Sequence, residues 1–220
     1  QGFSIQLSQY YGAKDFENLR KSLAHSYRLT AFIAAGVLIL SQSFASLVLT
    51  GLHTPSNIIG MSLLYLRIIF CGIPATAAYN MFASALRAMG NSKTPLTAMI
   101  IASVLNVSLD ILFVAGFGWG VAGAAIATVI AQSFSAVYCF LILRRIDIVH
   151  LTRADFMPAS GMNARLMKLG IPVVFQNIII GVGGLVVQYV INGYGFLFVA
   201  GFTATNKLYG LLEMAAIFYG

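Results

Sequence analysis

Four ionisable side chains interrupt stretches of the chain that are otherwise almost entirely apolar: Arg67, Asp110, Lys207 and Glu213. At the centre of a membrane helix each such charge costs about 2.5–3.5 kcal/mol on insertion scales, so each needs a partner or a wet cavity. Acids in such positions commonly carry protons or bind cations. The residue types therefore point to ion binding inside a hydrophobic protein.

Asp110 has the most informative neighbours in sequence. Ser103 and Asn106 precede it by seven and four residues, so all three share one face of a helix. The next apolar run carries a second polar stripe at helical spacing, formed by Thr128, Gln132 and Ser135. A proton or cation site is the favoured interpretation for the acid, and an interhelical hydrogen bond is the alternative. For Thr128 and Gln132 the sequence favours neither the ion site nor the interhelical hydrogen bond over the other.

Two more runs carry polar faces. In one, Pro74 predicts a bend, and a polar stripe of Thr76, Asn80, Ser84 and Arg87 lies just beyond it. In the other, amides and glycines share a face, formed by Asn177, Gly181, Gly184, Gln188 and Asn192. We predict close helix packing for the glycines and a cavity lining for Gln188 and Asn192.

The elements that carry these residues are predicted to be membrane-spanning helices. Of the 220 residues, 59% are hydrophobic and 9% are charged, against about 25% charged in soluble domains. A span needs roughly 20 apolar residues. Six runs qualify, and they are Leu29–Leu52, Ile58–Leu86, Pro95–Gly116, Trp119–Leu143, Leu166–Ile191 and Phe196–Tyr219. The fold class is therefore an all-α, polytopic transmembrane bundle, with both ends of the chain expected to be truncations.

The distribution of positive charge supports this division and orients it. All but two of the 13 Lys and Arg residues fall in linkers 13–28, 87–93 and 144–168, whereas the alternating linkers carry none. Cytoplasmic loops retain Lys and Arg, so we expect these three linkers to face the cytoplasm of a cell membrane. The same dispersal argues against a nucleic-acid partner despite the net charge of +7. The lipid bilayer is the expected partner.

The first basic linker shows an amphipathic pattern of its own. Phe16, Leu19, Leu23 and Tyr27 share one face at helical spacing. This pattern predicts a helix that lies along the cytoplasmic headgroups. His25, in the same linker, is expected to be solvated.

Signals for an enzyme are weak. Gly118-Trp-Gly120-Val-Ala-Gly123 matches the dinucleotide fingerprint, but that fingerprint requires a preceding strand and a predicted membrane span stands there instead. We predict a tight hairpin at this point. The sequence contains no zinc-type Cys/His cluster, phosphate loop or nucleophile elbow. We therefore expect no catalytic residues, no metal and no cofactor.

Several ordered segments resemble the multidrug and toxic compound extrusion (MATE) family. They are residues 8–14, SQYYGAK; 85–95, ALRAMGNSKTP; 106–110, NVSLD; 120–128, GVAGAAIAT; and 169–172, LGIP. The family has twelve spans in two six-helix lobes, and the resemblance places this chain from the end of the second span to within the eighth. It implies a partial amino-terminal lobe at 1–145, an inter-lobe linker at 146–165 and the start of the other lobe at 166–220.

The same resemblance assigns roles to single residues. Asp110 with Asn106 looks like the fifth-span cation-coupling pair of the family, Thr128 like its sixth-span neighbour, and Asn80 like a fourth-span contributor. Their acidic partner on the first span lies outside this chain. Some members carry a Glu eight residues after the seventh-span Pro, where this chain has Ile180. This departure makes the chain similar to the DNA-damage-inducible branch.

The resulting hypothesis is a secondary antiporter that exports amphipathic, cationic compounds in exchange for protons or sodium ions, with its own second lobe as partner. The predicted substrate cavity comprises Gln132, Gln176, Asn177, Gln188, Asn192 and Lys207. A lipid-linked oligosaccharide flippase is the alternative, since Arg67 and Lys207 suit a diphosphate. A membrane enzyme lacks paired catalytic groups here, and the buried Asp110 counts against a purely structural module.

Overall fold

The computed structural model describes residues 2–51, 58–156 and 162–192, with three pairs at 201–202, 205–206 and 209–210. Every regular element in these residues is helical, as predicted. The α-helices are α1 (Gly2–Gly12), α2 (Phe16–Gly51), α3 (Ile59–Cys71), α4 (Ile73–Ala88), α5 (Lys93–Asp110), α6 (Gly120–Arg144) and α7 (Met162–Asn192). A π-helix at Ile111–Gly116 continues α5, and two short 3-10 turns at Asp147–Val149 and Arg153–Phe156 follow α6.

Five helical segments are long and apolar enough to cross a bilayer. They are Phe16–Thr50, Ile59–Ala88, Lys93–Gly116, Gly120–Arg144 and Leu166–Gly184, the second being α3 and α4 together. They match the first five predicted spans. The sixth, Phe196–Tyr219, lies almost entirely outside the described residues and stays a prediction.

The outer surface of these helices is apolar. Phe32, Val104 and Ile179 are 66%, 64% and 70% exposed. At most 33% of the most apolar stretch of any span is buried within the protein. Since a soluble protein avoids large contiguous apolar surfaces, this arrangement indicates helices surrounded by lipid.

The chain divides into two compact units, Gln1–Gly170 and Ile171–Gly220. In the first unit α6 contacts α3, α4 and α5, while α2 contacts α1, α3 and α4. Small residues let the neighbours approach α6 closely, and most of its buried positions are Gly123, Ala125, Ala127, Ala131, Ser135 and Ala136. The assignment of lobes at 1–145 and 166–220 stays a prediction.

One end of the first unit has a compact core that overturns a prediction. The core contains Leu19 and Leu23, each 2% exposed, together with residues of α1, α4, α5, α6 and the segment after α6. Residues 16–28 are therefore the first part of the continuous helix α2 and do not lie along the headgroups. His25 is 3% exposed and not solvated. A helix that packs against protein and a helix that lies along the headgroups show the same amphipathic pattern, because protein neighbours and lipid both cover an apolar face.

The connection from α4 to α5 follows from its local sequence. Gly90 has φ +83°, its N–H donates to Arg87 O at 3.0 Å, and the N–H of Asn91 donates to Leu86 O at 2.9 Å. These two bonds form a Schellman motif with Gly at the C′ position. Asn91 Oδ1 then accepts the N–H of Thr94 at 3.1 Å and so caps α5. The tight turn holds α4 and α5 side by side.

Candidate ion and substrate cavity

A cavity of about 330 Å³ lies between α4, α5 and α6. Each of the three helices contributes polar side chains, and these are Thr76 and Asn80 from α4, Ser103 and Asn106 from α5, and Thr128, Gln132 and Ser135 from α6. The rest of the lining comprises Tyr79, Met99, Ala102 and Ala131. The three polar stripes predicted from the sequence therefore line one cavity, and apolar side chains form the rest of its wall.

The break between α3 and α4 brings the second span against α6. A Cβ added at Gly72 would lie 2.9 Å from Val129 Cγ2, 3.0 Å from Ile69 O and 3.4 Å from Gln132 Oε1. Only glycine fits at this distance without displacing a neighbour. The close approach allows the Thr76 hydroxyl to donate to Gln132 Oε1 at 2.5 Å. The interruption predicted from Pro74 is thus present, at Gly72.

The polar stripes of α5 and α6 face each other. Asn106 Nδ2 donates to Thr128 Oγ1 at 3.4 Å, and the Thr128 hydroxyl donates to Ala124 O at 3.0 Å. An interhelical bond and a cavity lining are therefore present together, and the two interpretations of Thr128 do not exclude each other. Its part in ion coupling stays a prediction.

Asp110 lies one helical turn beyond Asn106, as the last residue of α5 before the π-helix. One carboxylate oxygen, Oδ1, is buried and has no hydrogen-bond partner within the part of the chain that the structure describes. Leaving a buried carboxylate oxygen unpaired is costly, so this position favours a bound cation or a hydrogen-bond donor from outside the described residues. A π-helix frequently marks a functional site. Asp110 is not among the described residues that line the cavity itself.

The remaining predicted cavity residues are distributed differently. Gln176 and Asn177 belong to the second unit, where both are exposed and Asn177 Nδ2 donates to Val173 O at 2.7 Å. The side chains of Gln188 and Asn192, and the whole of Lys207, lie outside the described residues. The structure therefore brings together Asn80, Asn106, Thr128 and Gln132 of the predicted site, with Asp110 one turn away.

Tyr79 and Met99 are lining residues that the sequence did not single out. Tyr79 stands three residues after Thr76, so it extends the same helix face, and its hydroxyl donates to Pro95 O at 3.4 Å. Helical spacing from Thr76 was the signal that would have found it. Met99 is an apolar residue four positions before Ser103, and no feature of its type distinguishes it from a lipid-facing residue.

Arg67 lies on α3 with an exposed side chain. Its carbonyl oxygen accepts a hydrogen bond from Gln42 Nε2 at 2.9 Å, and the same amide nitrogen lies 3.3 Å from Cys71 Sγ. Gln42 thereby fastens α2 to α3 inside the apolar region.

The family model MatE matches residues 1–112. The chain belongs to the MatE family. This MatE chain is 32% identical over 214 residues to "Probable multidrug resistance protein YpnP" of Bacillus subtilis, covering 97% of the chain and 48% of that protein. It is 24% identical over 216 residues to "Multidrug export protein MepA" of Staphylococcus aureus, with coverage of 97% and 48%.

The MatE chain thus spans about half the length of the curated relatives it matches. Its relatives are named for multidrug resistance or export and not for an enzyme activity, in line with the absence of catalytic signals. Among solved structures it resembles a MATE protein in the bent conformation, with a TM-score of 0.87 and 23% identity over 96% of this chain and 48% of that one. A MOP superfamily transporter from Pyrococcus furiosus gives 0.86 and 23%, over 96% and 47%. These likenesses show the fold of a multi-pass membrane transporter.

The contact between Thr76 and Gln132 is expected to couple α4 to α6. In a double-mutant cycle with Thr76→Val and Gln132→Leu, we expect a coupling energy of about 0.6 kcal/mol, the average for membrane hydrogen bonds. Reversible unfolding in mixed micelles measures it. Thr97→Val is the matched control, because among the described residues the Thr97 hydroxyl donates to Lys93 O within its own helix, at 2.9 Å, and not to another helix. Strict additivity of Thr76→Val and Gln132→Leu would contradict the contact.

Proposed function

We propose that the full-length protein is a secondary antiporter that exports amphipathic, cationic compounds in exchange for protons or sodium ions. The observation that carries the proposal is the buried oxygen of Asp110, which has no hydrogen-bond partner among the described residues and lies one helical turn from a polar cavity. Such a carboxylate binds a cation from one side of the membrane and releases it when the cavity opens to the other. The names of the YpnP and MepA relatives support drug export.

We propose a separate role for each group of residues. Asp110 exchanges the coupling ion, and Asn106, Thr128 and Asn80 set its affinity through oxygen and amide dipoles. Gln132 lines the substrate cavity from the first lobe. We assign the same role in the second lobe to Gln176, Asn177, Gln188, Asn192 and Lys207.

The polarity of the cavity favours drug export over the movement of a lipid-linked oligosaccharide. A diphosphate requires cationic groups, normally Arg or Lys. The cavity between α4, α5 and α6 is lined, among the described residues, by amides, hydroxyls and apolar groups without a single cation. Such a lining solvates an uncharged or positively charged amphipathic compound better than a dianion.

We also propose an orientation of the protein in the membrane and a division of the chain into lobes. The basic linkers 13–28, 87–93 and 144–168 face the cytoplasm of the cell membrane. The shared core of Leu19, Leu86, Leu143 and Val149 supports a common side for the three linkers, because it brings the start of α2, the end of α4 and the end of α6 together at one end of the bundle. Residues 1–145 form most of one lobe, 146–165 the linker, and 166–220 the start of the other.

The partners are the lipid bilayer and the remaining half of the same transporter. Within the family we place the chain in the DNA-damage-inducible branch, because Ile180 stands where other members carry a carboxylate. The proposed ion site therefore lies in the first lobe, with Asp110, and does not involve a carboxylate at position 180.

Ethidium efflux from cells lacking their own pumps tests the function. Cells that express the full-length protein are expected to extrude ethidium about tenfold faster than cells with an empty vector, and dissipating the coupling gradient should remove this difference. A protonophore and the replacement of sodium by potassium, applied separately, identify the ion. Efflux that survives both treatments would exclude antiport, and no efflux at normal protein levels would favour the flippase.

A further inference from the structure

The segment that follows α6 is docked onto the start of α2. Both 3-10 turns, Asp147–Val149 and Arg153–Phe156, contact α2. Val149 is 6% exposed and belongs to the same core as Leu19 and Leu23. The first part of the linker therefore belongs structurally to the first unit.

Asp155 is the polar centre of this docking. The residue is 5% exposed. Its Oδ2 accepts the N–H of Thr152 at 2.7 Å and the Thr152 hydroxyl at 2.8 Å, and its Oδ1 lies 3.9 Å from Nε of Arg20 on α2. One carboxylate oxygen thus closes the local turn, while the other faces α2.

The carboxylate is ionised at neutral pH. Burial acts to raise the pKa of Asp155, but the two bonds from Thr152 and the charges of Arg20 and Lys21 outweigh it, so the pKa lies below its usual range. A lowered pKa means that the stabilisation is present above the unfolded-state value and is lost only as the pH falls through the folded-state value. The contact consequently persists throughout the physiological range.

We propose that Asp155 is a positioning residue that clamps the first part of the inter-lobe linker to α2. The linker up to Phe156 then moves with the helices of the first lobe whenever the lobes rock against each other. The clamp sets the rate of that motion without touching the ion or the substrate. The predicted effect on transport rests on the proposed function, whereas the docking of the linker onto α2 does not depend on it.

Asp155→Asn separates the clamp from the local turn. The amide oxygen takes the place of Oδ2 and keeps both bonds from Thr152, while the amide NH₂ turns toward Arg20 and cannot pair with it. Asp147→Asn is the matched control, since it makes the same change eight residues earlier, on a fully exposed side chain. Arg20→Gln removes the charge from the other side and serves as a second variant if Asp155→Asn does not fold.

Two measurements on the full-length protein test the clamp. In lipid nanodiscs, trypsin should cut the Arg153–Ala154 bond roughly two- to fivefold faster in Asp155→Asn and in Arg20→Gln, because losing an ion pair of this kind shifts the local opening equilibrium by about that factor. Asp147→Asn should match the wild type. In cells, Asp155→Asn should lower the Vmax of ethidium efflux and leave its KM unchanged.

Each outcome decides a separate part of the inference. Equal cleavage in Asp155→Asn, Asp147→Asn and the wild type would overturn the clamp. Faster cleavage with an unchanged Vmax would overturn its role in transport. Faster cleavage in a protein that shows no efflux at all would support the clamp while overturning the proposed antiport, because the proteolysis readout needs no transport.

Discussion

Replacing Asp110 by Asn is expected to lower gradient-driven efflux at least about tenfold, because a neutral amide cannot exchange a proton or balance a cation. The substitution removes the charge from the carboxylate whose buried Oδ1 has no hydrogen-bond partner in the part of the chain that the structure describes. The change conserves volume, so packing around the end of α5 should persist. Initial rates of ethidium efflux, normalised to the amount of protein in the membrane, measure the effect.

The control for this experiment is Asp147→Asn, which makes the same chemical change on an exposed side chain of the linker. It should leave efflux and its dependence on the gradient unchanged. Normal gradient-driven efflux by Asp110→Asn would reduce Asp110 to a packing residue. The ion site would then have to lie outside the polar faces of α4, α5 and α6.

Gly123→Ala is expected to destabilise the first unit by roughly 1–3 kcal/mol through overpacking. A Cβ at Gly123 would lie 2.9 Å from Phe113 Cβ, 3.1 Å from Trp119 Cβ and 3.2 Å from the carbonyl carbon of Phe113. These atoms belong to the backbone or lie next to it, so no rotamer change relieves the contact. Because Phe113 lies in the π-helix directly after Asp110, the same substitution should also weaken efflux.

Gly36→Ala is the matched control for Gly123→Ala. Gly36 lies within α2, and a Cβ there meets nothing within 4 Å. Both substitutions gain about the same helix propensity, up to about 1 kcal/mol, so the difference between them isolates the contact with Phe113. Thermal unfolding in detergent compares them, with Gly36→Ala expected at or above the wild type. Equal stability of the two variants would show that Phe113 can move away at no cost.

The sequence by itself determined the first five spans and the polar stripes. Hydropathy and helical periodicity are local properties, so they place Asn106 and Asp110 on one face without knowledge of any neighbour. The cap at Gly90 is equally local, because its bonds join residues within five positions of each other. The resemblance to the MATE family also came from the sequence, and the match of the MatE family model to residues 1–112 confirms it.

Only the tertiary structure decided what covers each face. The pairing of Thr76 with Gln132 joins residues 56 positions apart, and it depends on how closely α6 approaches Gly72. The pattern at Leu19 and Leu23 predicted lipid headgroups, but α1, α4 and the linker cover that face instead. Asp155 gave no signal at all. The physical reason is the same for the Thr76–Gln132 pair, the face of Leu19 and Leu23, and Asp155. Burial depends on the packing partner, and the pattern of side chains along one helix does not identify that partner.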